Sequence, residues 1–225
     1  MKQKNNIKKL TVISLLIAMA YLCTFMFKFK VDFLTFDFKD AFLSIIAFIY
    51  GPLYAVLSAI IVAFFELISI SETGIYGFLM NSISSIAFAA TCGTVYKYKH
   101  KFSGAVLGSI VAVVAMTIIM AFANLFITPY YMGVSRSQVA QLIPTLLLPF
   151  NFIKGCVNAC VLWLIYKPLT SVFKRTGLIK SNSVTNKTKF GIMTIISLVV
   201  IIVCVLLIFF WLNGSFSTFL DGIIK

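Results

Sequence analysis

This sequence is short of charge and shorter still of acid. Charged residues fill 11% of its 225 positions, where a soluble domain carries about a quarter. Only 6 of them are Asp or Glu. That shortage excludes a soluble enzyme and a disordered chain. There is one histidine, His100, in a basic stretch, and it reads as a solvated loop residue. Without a histidine inside an apolar run, neither a His-based metal centre nor an intramembrane Ser–His pair has its base. No H-E-x-x-H, G-x-S-x-G or Walker A lysine motif occurs. Glu66 and Glu72 form no obvious acid pair. The five cysteines lie in or near apolar runs with no C-x-x-C, which excludes a disulfide scaffold. Cys156 and Cys160, one helical turn apart with no second ligand pair, read as packing residues.

What is present is apolar length. Hydrophobic residues make up 61% of the chain, and the mean hydropathy is +1.05. A transmembrane helix needs about 20 mostly apolar residues. Seven runs qualify, the second of them short: about 10–27, 41–50, 53–70, 76–96, 103–127, 142–166 and 190–212. The first follows four lysines, yet it outruns a signal-peptide core and shows no cleavage pattern, so it reads as a retained helix. Gly51-Pro52 splits 41–70 into two helices, because a proline supplies no N–H and a glycine permits the turn. The fifth run is expected to stop at Thr128-Pro129. A basic linker is expected over Lys167 to Lys189. The predicted fold is therefore all-α, a polytopic membrane bundle.

The net charge of +13 admits nucleic acid as a partner until the charges are placed. With the N-terminus inside, the cytoplasmic segments 1–9, 97–102 and 167–189 hold four, three and six basic residues and no acid. The remaining chain balances six against six. This is the positive-inside pattern of a membrane protein. It predicts a cytoplasmic N-terminus, an extracellular C-terminus and no nucleic-acid partner.

Polar residues at membrane depth are the functional signal, since a charge there is costly and normally faces a protein interior. Asn151 and Lys154 are three apart and Asn158 follows a turn later, so all three share one helix face. A snorkelling lysine is the plainer alternative. Asn124, Asn81 and Glu66 fall toward the same, extracellular, side, and so does the Phe-rich loop 33–42 with Asp37 and Phe38. Amides, one ammonium and aromatic faces suit a flat heteroaromatic ligand. An interfacial aromatic belt would also account for the phenylalanines. Ala55, Ala59 and Ala63, and Ser14 with Ala18, recur at four-residue spacing and permit close helix approach.

Three stretches resemble the substrate-binding (S) components of energy-coupling factor (ECF) vitamin transporters, particularly the riboflavin-specific ones. They are Leu34 to Asp40 leading to Gly51-Pro52-Leu53; Gly77 to Asn81; and Leu142 to Gly155, with its Pro-Phe-Asn-x-x-Lys-Gly core. The resemblance covers about 8–175. It implies a six-helix vitamin-binding unit over 1–175 with no catalytic activity or cofactor. Riboflavin, with FMN as a further candidate, would sit near the outer face under the loop between the first two helices. It implies a coupling subunit and two ATPase subunits as partners in the bilayer, and flavin contacts from Asn151, Lys154 and Asn124. Helix one of the family usually carries Ala-x-x-x-Ala for the coupling subunit; here the nearest match is Ser14-x-x-x-Ala18. The departure is C-terminal: a linker, 176–189, and a seventh transmembrane helix with a short tail, 190–225. Two other readings compete. One is an S component for folate, thiamine, biotin or a queuosine precursor. The other is a stand-alone secondary transporter, for which no internal repeat is found.

Overall fold

The computed structural model describes residues 2–31, 34–179 and 188–212. The chain forms a helical bundle carrying one small hairpin. Helix α1 spans Lys2–Met26, and strands β1 (Phe29–Val31) and β2 (Leu34–Phe36) pair antiparallel after it. Then come α2 (Lys39–Tyr50), α3 (Pro52–Ser69), α4 (Gly74–Tyr98) and α5 (Phe102–Met132). The short α6 (Arg136–Leu142) enters a π-helical turn, Ile143–Leu147, that continues as α7 (Leu148–Arg175). Helix α8 covers Thr188–Leu212. Five described stretches are long and apolar enough to cross a membrane: 5–26, 52–69, 74–98, 102–132 and 136–175. The tail 213–225 and linker residues 180–187 lie outside the described residues.

The break at Gly51 is as the sequence predicts. Gly51 has φ 101°, a conformation that only glycine takes without strain. Pro52 then occupies the first position of α3, where its missing N–H costs nothing. The fifth run corrects the expectation. Its helix passes through Pro129 to Met132 and stops at Gly133, which is left-handed with φ 67°. A proline one turn from a helix end forfeits a single backbone bond, too little to end the helix early. The sixth run is likewise not one regular helix. Pro144 and Pro149 both lack the N–H that an i→i+4 ladder needs, and the wider π turn falls between α6 and α7. At its far end α7 runs through Pro168 to Arg175. Residues 167–175, expected as linker, therefore extend the helix.

The 12-residue α2 is the centre of the bundle. It packs on α1, α3, α4 and α7 and buries nine residues, Lys39 and Asp40 among them. Contacts around it are close. A Cβ on Gly93 of α4 would fall on the Ala47 side chain of α2. A Cβ on Gly155 of α7 would meet Val113 of α5 at 3.2–3.3 Å, tight but short of overlap. Lipid is as apolar as leucine, so helices in a bilayer gain mainly from such close contact. Ala55, Ala59 and Ala63 of α3 are buried, whereas Ser14 and Ala18 of α1 are exposed.

Candidate functional site

The polar face of α7 points inward and is nearly dry: Asn151, Lys154 and Asn158 are 2%, 3% and 0% exposed. The lysine does not snorkel. Its Nζ donates to Asp37 Oδ2 at 2.9 Å and to the Thr35 carbonyl at 3.3 Å. Asn158 ties the start of α2 to α7. Its Oδ1 accepts from the Ala41 N–H, and its Nδ2 donates to the Asp37 carbonyl. Helix α2 has no capping side chain of its own at Phe38, so a residue 117 positions away satisfies one of its free N–H groups.

Asp37 begins a chain of alternating charge. Lys39 Nζ lies 3.5 Å from Asp37 Oδ2 and donates to both Glu66 oxygens at 2.7 and 2.8 Å. Glu66 Oε2 accepts from Asn81 Nδ2 at 2.8 Å. The order Lys154–Asp37–Lys39–Glu66–Asn81 thus crosses from α7 through the hairpin's exit, α2 and α3 to α4. Two cations and two anions cancel, which is how such charges are tolerated away from water. Burial alone would raise the Asp37 carboxyl. The ammonium groups of Lys154 and Lys39 outweigh burial and hold it below the ordinary carboxylate range.

Beside this chain of charges lies a small cavity open to the surface. Strand β2 contributes Leu34 and Thr35; the start of α4 and the loop before it contribute Thr73, Tyr76, Gly77, Met80, Asn81 and Ser84. Helix α5 adds Met120, Asn124, Thr128 and Tyr131, and α7 adds Phe150, Asn151 and Lys154. Asn124 and Asn151 are back-bonded along their own helices. Asn124 donates to the Met120 carbonyl and accepts from Thr128 Oγ1, while Asn151 donates to the Leu147 carbonyl. A ligand would share or exchange these bonds. The apolar and aromatic walls, three amides and one ammonium fit a flat, hydrogen-bonding molecule.

Of the seven residues singled out in the sequence, four line this cavity: Asn81, Asn124, Asn151 and Lys154. Glu66 and Asp37 do not. They stand behind it, holding Asn81 and Lys154. Phe38 is not in the wall either; it packs at 5.6 Å on Phe36, whose ring meets Phe150 edge-on at 6.1 Å. The missed wall residues were partly legible. Gly77, Met80 and Ser84 share a helix face with Asn81, as Met120, Thr128 and Tyr131 do with Asn124. Nothing local pointed to Thr35, whose carbonyl the hairpin delivers. The five cysteines are free thiols, and the described residues contain no cluster of three or more metal-ligating side chains.

The family model described as the substrate-specific component of ECF transporters matches residues 8–166. A riboflavin transporter RibU of Staphylococcus aureus is 31% identical over 179 residues, covering 75% of this chain and 93% of that protein. The riboflavin transporter FmnP of Bacillus subtilis is also 31% identical, over 71% of this chain and 90% of its own length. A solved structure described as the S component of a bacterial ECF transporter superposes with a TM-score of 0.64 at 30% identity. It covers 75% of this chain and 99% of that one.

Proposed function

The chain belongs to the substrate-specific components of ECF transporters, and from that premise we propose that it captures riboflavin at the outer face of the cell membrane and delivers it through an ATP-driven module. The observation that carries this reading is the cavity where Asn124, Asn151 and Lys154 converge beneath the hairpin. Amide groups there match the edge of a flavin ring, and Phe150, Met80 and Met120 match its faces. The two relatives described as riboflavin transporters support the choice of ligand. Asn151, Lys154, Asn124 and Asn81 are the contacts. Asp37 and Glu66 hold two of them in place, and Phe38 packs the hairpin that caps the cavity. The protein acts by binding, without catalysis or a resident cofactor, and FMN is a second candidate ligand.

The working partners are a coupling subunit and two ATPase subunits. The exposed Ser14 and Ala18 on α1 give the coupling subunit a close-approach face. Residues 1–175 form the binding unit, 176–187 join it to the added helix that begins at Thr188, and the N-terminus is cytoplasmic. The test is titration of purified protein with riboflavin. A bound flavin stacked among Phe150 and the methionines has quenched fluorescence and a perturbed visible spectrum. Folded protein that neither quenches riboflavin nor is stabilised by it against heat would overturn the reading, and the same thermal screen with folate, thiamine and biotin would find the replacement.

A further inference from the structure

Helix α8 lies beyond residue 166, where the family match ends, and it is not a plain lipid-solvated anchor. One face is covered. Ser197 and Cys204 are 0% and 5% exposed, and Thr194, Val200 and Ile201 are half-buried. These positions recur every three or four residues, the period of a helix seam. The opposite face, with Ile195, Leu198, Val199 and Ile202, is at least half open. The covered face rests on α7. A helix that only anchors has nothing to gain from a buried stripe of serine, threonine and cysteine in a lipid environment. Small side chains there serve close helix contact.

The place of that contact is informative. Val200, Ile201 and Cys204 belong to one apolar cluster with Ile153, Cys156 and Val157 of α7, and with Leu34, Phe36 and Phe150. Leu34 and Phe150 are cavity walls. Helix α7 also has a weak frame at this end, because the π turn and two prolines interrupt its backbone ladder just before Asn151. Its inner face carries Asn151 and Lys154; its outer face carries the contact with α8.

We propose that α8 is a brace on the binding helix, pressing its Ser197–Cys204 seam against α7 so that the site helix stays closed on the ligand and release is slowed. This rests on the reading that the cavity binds riboflavin. A tightly packed contact transmits small displacements, so loosening the seam lets α7 move away from the cavity without touching a ligand-binding residue. The effect is on the dissociation rate, where most affinity differences between related complexes arise.

The test compares two triple variants of the full chain. Val200→Ala/Ile201→Ala/Cys204→Ala trims the seam. Ile195→Ala/Val199→Ala/Ile202→Ala trims a somewhat larger volume from the open face. Riboflavin dissociation is followed by recovery of flavin fluorescence on dilution. The seam variant should release ligand on the order of three- to tenfold faster, the size expected from loosening a packed contact, and the open-face variant at the wild-type rate. If both variants release at the wild-type rate, or both accelerate alike, the brace is refuted. The single Cys204→Ala variant, expected to show a smaller acceleration, decides the matter if the triple fails to fold. Wild-type protein that does not bind riboflavin would instead refute the ligand assignment.

Discussion

Lys154 is a proposed ligand contact that also ties the hairpin's exit to α7. It is buried, faces the cavity and holds Asp37. Lys154→Ala should weaken riboflavin binding by about 1–3 kcal/mol, the cost of stranding a buried hydrogen-bonding partner. Asn151→Ala should lose affinity in the same range. Fluorescence titration checks both, and unchanged affinity in the pair would remove the site assignment. Lys39 behaves differently because it lies behind the wall, bridging Asp37 and Glu66. Lys39→Met leaves the Glu66 carboxylate buried without its cation, which typically costs about 3–5 kcal/mol of stability. Adding Glu66→Gln removes the stranded charge while keeping an acceptor for Asn81. The double variant should therefore regain much of the thermal stability lost by the single one; a double variant less stable than Lys39→Met would contradict this account of the charge chain.

Between helices, the contact of α2 with α4 sets how tightly the core closes. A Cβ at Gly93 overlaps the Ala47 side chain. Gly93→Ala should lower stability by about 1–3 kcal/mol, as overpacking a tight contact does. Ala47→Gly placed in the same chain opens the space again and should restore most of the loss. Unfolding of the single and double variants in detergent decides it, and simple additivity of two destabilising changes would show that the two positions do not touch. The α6–π-turn–α7 segment is the other element with consequences. The π turn ends at Leu147, whose carbonyl accepts from the Asn151 side chain, so the irregular backbone and a candidate ligand amide are direct neighbours.

For the molecule as a whole, the distribution of charge predicts orientation. Cysteines introduced at the exposed Lys99 and Ser137, in a cysteine-free background, should react with a membrane-impermeant thiol reagent from opposite sides of intact cells. Ser137 should label from outside and Lys99 only after permeabilisation. Labelling of Lys99 in intact cells would invert the topology and place the cavity on the cytoplasmic side.

Much of this architecture follows from local rules that act along the chain. Apolar length selects membrane-crossing helices, Gly51-Pro52 divides α2 from α3, and the polar stripe Asn151–Lys154–Asn158 marks one face of one helix. These features depend on backbone geometry and on the cost of charge in lipid, so the sequence alone determined them. The proline at 129 and the run near 142 misled because a proline's effect depends on how many bonds remain to be lost and on what refills them. Only the tertiary structure decided that Glu66 and Asp37 serve the wall from behind, that Phe38 packs the hairpin, and that Thr35 reaches Lys154. Those roles depend on which charges end up adjacent when α2 is buried among four other helices, and residues 39 and 66 or 37 and 154 carry no local signal of that pairing. The same holds for α8: its apolar length was evident from the chain, but the seam that grips α7 exists only because the two helices meet.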